Sequence, residues 1–491
     1  MKLHTFGASS LAFLALAMGS CTTPNGTGGM AELPSEHLTG KAFAEQPEPL
    51  EFKPSHDWWK RFQDPQLDAW IAQALRENPS LNAAAQSVLE AEANLRGNHG
   101  QRGIQVDAGW SASRGFVTPT ANSDRMYSTL LRPSLQISWQ TDLFGRLKSA
   151  ERASFATLLA TENDRIAVAH SLIAAVIRAR VSLSVLQRRF ELAQRIVKSR
   201  EGTLSIVEGR YGRGVSGTSA VDVHQAKENL AAAQSNLPNL DLAQRQAQFN
   251  LQALLGQRPG GEFERDLMVE LPTVSAPPAG VPIGLLDRRP DLRSAQFRAH
   301  ASAAQVDVAL AAFYPDLRLS ASGGWDAKDL DELFDVERLF GNLLGDLSVR
   351  LFGSGQLEAD ADAARARMAR ASANYQSLVI NAVREVEDAL ASERLIREQL
   401  AFVQTQVSEA QSAEGFARDR YSRGVGRLLV VLDTERRRAT AEDLALRLQQ
   451  LIWNARVDLH LALGGDWLEQ RPEDEESPAP ADEDQDPSNA Q

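Results

Sequence analysis

A hexapeptide that occurs twice, 210 residues apart, constrains the fold of this chain more than any other feature. Residues 210–215 read Arg-Tyr-Gly-Arg-Gly-Val, and residues 420–425 read Arg-Tyr-Ser-Arg-Gly-Val. The two segments also run in register without a gap from Gly145 and Gly355 up to these motifs. Because the units of solenoid proteins span only about 20–50 residues, this period indicates duplication of a whole half-protein. We therefore expect one pseudo-symmetric body built from two similar halves.

Composition and charge are those of a folded globular chain. Of its 491 residues, 43% are hydrophobic and 24% are charged, which is neither a disordered nor a helical-membrane composition. The formal charge is −12, but residues 471–491 hold eight acidic residues against one arginine, which leaves about −5 for the rest. This net charge does not indicate binding to nucleic acid or to an anionic membrane surface. Residues 467–491 have few apolar side chains and are predicted to be a disordered acidic tail.

Residues 1–20 have the pattern of a signal peptide. Lys2 precedes an apolar run that is too short to span a bilayer. The run ends in Met-Gly-Ser-Cys, and Cys21 is the only cysteine, so an intrachain disulfide and a thiolate metal cluster are excluded. This ending resembles a bacterial lipobox, whose cysteine is acylated, for example with palmitate. Residues 21–56 would then be a lipidated tether, and an ordinary signal peptide with an incidental cysteine is the alternative.

Four segments change from helical periodicity to a period of two. They are residues 106–116, 134–144, 315–326 and 345–353, and we expect the first to pair with the second and the third with the fourth. Each has about the ten residues with which a tilted barrel strand crosses a bilayer. A half-buried sheet of a soluble domain is the alternative, but the secretion signal and the attached helices favour a membrane sheet.

The remaining pattern is that of very long helices arranged as hairpins. A first helix is predicted to begin at Pro65, to break near residues 78–79 and to end near 97–103. The further predicted helices are residues 147–207, 220–255, 290–312, 357–420 and 428–463. The two longest contain no proline, and about 60 residues at 1.5 Å each would extend on the order of 90 Å. Pro238 is expected to interrupt the second helix. Gly214 and Gly424 suit a left-handed cap at the end of each long helix, so the repeated motif would form the tip of each hairpin.

Four strands cannot close a barrel alone. Small single-chain barrels have at least about 8 strands, and an open sheet edge in lipid leaves backbone groups without partners. Two copies would supply 8 strands and three would supply 12, which is wide enough to conduct. We therefore predict a mainly α protein with a membrane β-barrel of 12 strands closed by a homotrimer. The predicted divisions are 1–20, 21–56, 57–255 (first half), 256–289 (inter-repeat segment), 290–466 (second half) and 467–491.

Several motifs resemble those of the TolC-like outer-membrane efflux protein family. They are WQTDLFGR at 139–146, LLDRRPDL at 285–292, AAFYP at 311–315, the repeated hexapeptide and LDTE at 432–435. The resemblance covers about residues 57–466, and the lipobox indicates the lipoprotein branch, the outer-membrane factors of RND-type tripartite systems. It implies a trimer in outer-membrane lipid, a helical tunnel across the periplasm, and partners in a periplasmic adaptor and an inner-membrane pump.

The resemblance also implies a gate at the hairpin tips. By position, Tyr421 and Asp433 match the tyrosine and one acid of the family's latch, and Asp222 is the corresponding acid of the first hairpin. The arginine position of the latch falls on Gly426, with Arg427 next to it. A ring of aspartates in a pore would repel anions and attract cations. The alternative for both aspartates is an acid stabilised by a helix N-terminus.

Five residues of the repeated motif are assigned to packing of the turn or to contact with the adaptor. They are Arg210, Tyr211, Gly214, Arg420 and Gly424. For Tyr421, turn packing or adaptor contact is the alternative to a place in the gate.

The sequence contains no motif for catalysis, a metal or a cofactor. It has no phosphate-binding loop, no paired-histidine metal spacing and no serine nucleophile elbow, so we predict a passive duct rather than an enzyme. The predicted cargo is small molecules such as drugs and toxic compounds. Two alternatives stay open: an exit duct for polypeptides in a type I secretion system, and a periplasmic coiled-coil lipoprotein without a pore.

Overall fold

The computed structural model describes residues 58–118, 124–261 and 288–465. The predicted signal peptide, Cys21 and its tether, residues 262–287 of the inter-repeat segment, and the acidic tail lie outside these residues. The helices are α1 Pro65–Glu77, α2 Pro79–Gly100, α3 Arg146–Gly212, α4 Ala220–Leu254, α5 Pro290–Ala311, α6 Gln356–Ser422 and α7 Leu428–Ala462. The strands are β1 Gln105–Val117, β2 Met126–Thr141, β3 Asp316–Trp325 and β4 Leu339–Ser348.

The long helices confirm the hairpins predicted from the repeat. Helices α3 and α6 have 67 residues each, and α4 and α7 have 35 residues each. Each long helix begins after a glycine in the left-handed region, Gly145 at φ 74° and Gly355 at φ 76°. At the start of α3 the Asp142 carboxylate accepts hydrogen bonds from two backbone N–H groups, which satisfies donors that have no partner within the helix.

The predicted interruption at Pro238 is wrong. Helix α4 continues through this residue although proline has no backbone N–H to donate. Ala233 and Leu240 lie on either side of Pro238 and are both buried. Because tertiary packing of such a buried face supplies most of the stability of a helix in a protein, one missing hydrogen bond does not end it.

The four strands form one antiparallel sheet in the order β1-β2-β3-β4. Both predicted pairings are confirmed, and β2 also pairs with β3. Strand β2 begins eight residues before the predicted position 134, and β4 lies at 339–348 rather than at 345–353. The pairing of β4 ends at Ser348 because this residue lies opposite Asp316, the first residue of β3. Among the described residues, no strand therefore lies beside the alternating residues 349–351.

The register brings most apolar positions of the four strands onto one face, whereas Leu130, Phe340 and Leu344 lie on the other. Ile137 lies opposite Val106 in β1 and Ala321 in β3, and Ala321 lies opposite Leu343 in β4. The neighbouring positions, such as Gln136 with its partners Asp107 and Ser322, lie on the other face. This arrangement gives one mainly apolar and one mainly polar face, which is the pattern of a membrane barrel strand.

The chain separates into two compact units, each with buried clusters of its own. The first comprises Val88–Thr161 and Ala295–Tyr375 and contains the sheet; the described residues of the second are 58–87, 162–261, 288–294 and 376–465. In the second unit, a core joins the 3-10 helix Trp58–Phe62 to α1, α3, α4 and α7. Among the described residues, only α3 is long and apolar enough to cross a membrane. More than half of that apolar stretch is buried, as in a core helix.

Candidate functional site at the hairpin tips

Both long helices end in the same hydrogen-bonded turn. The N–H of Val215 donates to the carbonyl of Arg210 at 3.0 Å, and the N–H of Gly214 donates to that of Tyr211 at 3.0 Å. The second copy repeats this pattern at 3.1 and 3.0 Å. Gly214 has φ 66° and Gly424 has φ 85°, the left-handed conformation that closes a Schellman cap. The two hairpin tips therefore have the same local geometry.

Arg210 joins the tip of the first hairpin to the tip of the second. Its guanidinium lies over the ring of Tyr421, 4.6 Å from the centroid, and donates a hydrogen bond to the Tyr421 carbonyl. Its Nε donates to the Thr218 hydroxyl at 3.2 Å. Both Arg210 and Tyr421 are buried, and they cap a small apolar cluster in which Val207 and Leu428 pack together. The contact fixes the end of α3 against the end of α6.

Burial raises the pKa of the Tyr421 phenol above its ordinary value. The Asp222 carboxylate acts in the same direction, whereas Arg210 and Thr218 act in the opposite one. The phenol therefore stays protonated across the physiological range, so it can donate a hydrogen bond to an acceptor at the tip.

Asp222 is held as a helix cap. It forms a capping box with Ser219, whose backbone N–H donates to the Asp222 carboxylate at 2.7 Å. The Ser219 hydroxyl lies 2.9 Å from the same oxygen. Asp222 therefore caps the first turn of α4, as the helix-terminus alternative expects, and its side chain is half-buried at the tip.

Asp433 has a different environment. It lies beyond the first turn of α7, so the dipole of the helix N-terminus does not account for it. Hydrogen bonds from Arg436 and Arg437, at 2.8 and 2.7 Å, lower the pKa of Asp433. The carboxylate is therefore charged at neutral pH and is accompanied by two exposed cations.

Arg427 is the N-cap residue of α7, and its exposed side chain makes no capping hydrogen bond. The preceding Gly426 lies against the backbone. A Cβ atom there would lie 2.8 Å from the Tyr421 nitrogen and 3.0 Å from the Arg420 carbonyl carbon. Contacts this short force the backbone to move, so this turn does not accommodate a side chain at 426, where the resemblance places an arginine.

Gly426→Ala is expected to destabilise the second tip by about 1–3 kcal/mol, because an inserted methyl group in a filled site displaces its neighbours. The matched control is Gly212→Ala, since a Cβ at Gly212 meets nothing within 4 Å. Thermal unfolding of both purified variants measures the difference. Equal melting temperatures for Gly426→Ala and wild type would contradict this steric account of the turn.

A buried charged network next to the tips was not found from the sequence. Glu414 and Glu435 are almost fully buried, and Arg418 contacts both, at 3.2 and 2.8 Å. Thr203 of the first hairpin donates to Glu435 at 2.6 Å. Although burial opposes it, hydrogen bonding and charge from Glu442 and Glu414 raise the pKa of Arg438. The four-residue spacings of Glu414 with Arg418 and of Arg438 with Glu442 are the sequence signals that could have indicated this network.

The structure gives the predicted tip residues two kinds of environment. Arg210 and Tyr421 are buried in contact with one another, whereas their counterparts Arg420 and Tyr211 are exposed. Of the other predicted tip residues, Asp222 and Asp433 are half-buried, and Arg427, Gly214 and Gly424 are exposed. Within the described residues, no group of three or more histidine, cysteine, aspartate or glutamate side chains could hold a metal ion.

Comparison with known proteins identifies the family. The sequence matches the family described as outer membrane efflux protein over residues 70–257 and 282–465. The chain belongs to this family. It is 30% identical to the pyoverdine export outer membrane protein OpmQ of Pseudomonas aeruginosa, covering 84% of this chain and 88% of the relative. It is also 30% identical to the solvent efflux pump outer membrane protein SrpC of Pseudomonas putida, over 93% and 97% of the two chains.

Solved structures of family members have the same fold. The structure of the outer-membrane channel OprN matches with a TM-score of 0.76 at 30% identity, covering 87% of this chain and 96% of that chain. The prediction of a TolC-like fold is therefore confirmed, and the chain is an outer membrane channel protein of an efflux pump. Because the family consists of channel proteins, the prediction that the chain is not an enzyme is confirmed as well.

Proposed function

We propose that three copies of this chain form a passive exit duct through the outer membrane, with a gate at the hairpin tips. The two-faced sheet is the observation that supports this most strongly. One chain has four paired strands, and the outer edges of β1 and β4 have no partner strand among the described residues. An exposed edge is not tolerated in lipid, and 12 strands would leave a polar lumen inside an apolar band.

Four side chains at the tips form the proposed gate. Asp222 and Asp433 supply carboxylates from the two hairpins of each chain, which makes six in a trimer. Tyr421 supplies a protonated phenol near Asp222. Arg427 supplies an exposed cation beside the second tip. Carboxylates around a narrow opening repel anions and hold water, so such a ring would favour cations at rest.

The exposed part of each tip is the proposed docking surface for a periplasmic adaptor. The turns at Gly214 and Gly424 expose backbone groups, and Val425 and Leu429 expose apolar side chains beside them. Arg210 contributes to this surface by packing the turn, because its own side chain is buried. The adaptor would connect the duct to an inner-membrane pump of the RND type, which would supply the energy.

Small molecules are the proposed cargo. The relatives are named for export of pyoverdine and of solvents, and these names favour efflux over a polypeptide secretion duct. Acylation of Cys21 is the proposed second attachment to the outer membrane, since several acyl chains anchor a protein stably where one is marginal. Mass spectrometry of the mature N-terminus tests the acylation independently of the channel.

Planar-bilayer conductance of the purified protein tests the duct and the gate. Wild type is expected to conduct little, and Asp222→Ala combined with Asp433→Ala is expected to conduct several-fold more, because the carboxylate ring is removed. Since the pKa of Asp433 is lowered, its charge persists on mild acidification, and the wild-type current should not rise between pH 7 and pH 5 through this residue. The single variants show which hairpin contributes more.

The outcomes separate the parts of the proposal. Equal currents for wild type and the double variant would support the pore and contradict the gate assignment. Absence of current from both proteins would contradict the closed barrel and favour a coiled-coil lipoprotein without a pore.

A further inference from the structure

The internal repeat assigns an equivalent to each residue of the two hairpins. Positions in α6 equal those in α3 plus 210, and positions in α7 equal those in α4 plus 208, since the paired helices have equal lengths. In a ring of such chains, the first and second hairpins contact each other at two kinds of interface. One interface lies within a chain, and the other lies between neighbouring chains. Equivalent residues that differ in exposure therefore mark surfaces that one copy of the chain leaves uncovered.

Helix α6 has a stripe of exposed apolar side chains. Leu395, Phe402 and Phe416 are 52%, 71% and 72% exposed. They are 7 and 14 residues apart, a spacing that places side chains on one face of a helix and is typical of helix-to-helix contacts. We call these three residues the α6 stripe. Large exposed apolar residues in such a row indicate a binding surface.

The equivalents of the α6 stripe on α3 are covered. Val185 is 0% exposed and Leu192 is 3% exposed, and Ile206 packs against the apolar cluster beneath the tips. Val185 belongs to the same buried cluster as Trp453 and Val457 of α7. The second hairpin thus covers this face of α3.

Polar contacts along α3 also show that the second hairpin packs against this face. Arg189 donates to Asp443 of α7 at 2.6 Å, and Thr203 donates to Glu435 of α7 at 2.6 Å. The second hairpin therefore contacts this face of α3 over several helical turns. The corresponding face of α6 has no such cover from another hairpin within the described residues of one chain.

Helix α4 supplies the complementary surface. Its residue Phe249 is 40% exposed, whereas its equivalent Val457 in α7 is fully buried against the first hairpin. At the tip, Tyr211 is 50% exposed and its equivalent Tyr421 is 3% exposed. The first hairpin therefore presents a set of apolar and aromatic positions that its counterpart uses for contact.

We propose that the α6 stripe and Arg420 of one copy bind α4 and Tyr211 of a second copy of this chain. This inference rests on the proposed trimer and identifies the residues that join its subunits. In it, the guanidinium of Arg420 lies over the ring of the neighbour's Tyr211, as Arg210 lies over Tyr421 inside one chain. Such a head-to-tail contact closes into a ring when its rotation matches the number of copies.

The charges near the tip are compatible with this contact. Glu409, within the row of the α6 stripe, would approach the region of Glu208 on the neighbouring copy, since Ser199 and Arg418 meet at the equivalent positions inside one chain. Lys227 lies 3.1 Å from Glu208 in its own hairpin. The lysine places a positive charge between the two carboxylates, which reduces their repulsion.

Chemical crosslinking tests the contact at the tip. The variant carries Tyr211→Cys and Arg420→Cys, and a short bismaleimide joins the two thiols, because the long side chains keep the backbones too far apart for a disulfide. We expect covalent dimers and trimers on denaturing gels. The matched variant with Arg210→Cys and Tyr421→Cys should crosslink within one chain and give no oligomer, and each single variant controls for reaction at Cys21.

Substitution of the α6 stripe tests the apolar part. Phe402→Asp should weaken association between subunits about 100-fold, because a carboxylate would be buried without a partner. Leu429→Asp is the control, since Leu429 and its equivalent Val221 are both exposed, and it should leave the trimer intact. Native mass spectrometry in detergent measures the oligomer, and circular dichroism measures the folding of each variant.

The outcomes distinguish this inference from the proposed function. If wild type does not form a trimer, the proposed duct fails. If wild type forms a conducting trimer and the Tyr211→Cys and Arg420→Cys variant gives no crosslinked chains, or Phe402→Asp associates like Leu429→Asp, the contact surface is wrong while the duct is retained.

Discussion

Replacing Arg210 by alanine is expected to release the tip of the second hairpin from the first. The substitution removes the hydrogen bonds to the Tyr421 carbonyl and to Thr218 and the stacking over the Tyr421 ring. Charged hydrogen bonds contribute about 1.5–3 kcal/mol each, and cation–π contacts contribute about 0.5–2 kcal/mol. Amide hydrogens at residues 420–427 should exchange about 100-fold faster, which hydrogen exchange with mass spectrometry measures.

Two variants separate the causes. Arg213→Ala removes an arginine from the same turn whose side chain is exposed, and it should leave the exchange rates unchanged. Arg210→Lys keeps the positive charge but removes the planar guanidinium group, so it should give a hydrogen-exchange rate between those of wild type and Arg210→Ala. Channel current should rise with the exchange rate if the tip contact keeps the gate closed. Wild-type exchange rates for Arg210→Ala would show that this contact does not hold the hairpins together.

Glu393→Leu is expected to destabilise the protein by about 3–5 kcal/mol, because it removes the carboxylate from a buried ion pair. Glu393 is 0% exposed and accepts hydrogen bonds from Arg456 at 3.0 and 2.6 Å. Arg397 also donates to it at 2.6 Å. Urea unfolding of the purified variant, followed by circular dichroism, measures the loss.

The first hairpin supplies a compensating pair. The equivalents of Glu393 and Arg456 are Leu183, which is buried, and Gln248. The double variant with Glu393→Leu and Arg456→Gln places that uncharged pair in the second hairpin, and we expect it to recover most of the lost stability. A double variant no more stable than Glu393→Leu would mean that the two hairpins do not pack these positions in the same way.

The local elements could be predicted because they depend on residues close in sequence. The ends of the long helices follow from glycines at Gly145, Gly214, Gly355 and Gly424, which adopt positive φ with little strain. The strands follow from alternation, which also determined the two faces of the sheet. Strand β4 was displaced in the prediction because the alternation continues to Leu351, whereas pairing requires a neighbouring strand.

The proposed gate was only partly accessible from sequence. Asp222 could be interpreted as a helix cap from Ser219, three residues before it, and the structure has that capping box. For Asp433, the two arginines that lower its pKa are visible at three and four residues' distance. The steric restriction at Gly426 was not visible, because it arises from the backbone of residues 420 and 421 folding back on the turn.

By itself, the sequence determined the duplication, the hairpins and the sheet with one apolar face, since periodicity and glycine positions act over a few residues. Only the tertiary structure decided which copy of each repeated residue is buried. Arg210 and Tyr421 are covered, and Arg420 and Tyr211 are exposed, although the sequence repeats them in identical order. The physical reason is that burial depends on the hairpin that packs alongside, and within the described residues of one chain the two hairpins cover each other on one side.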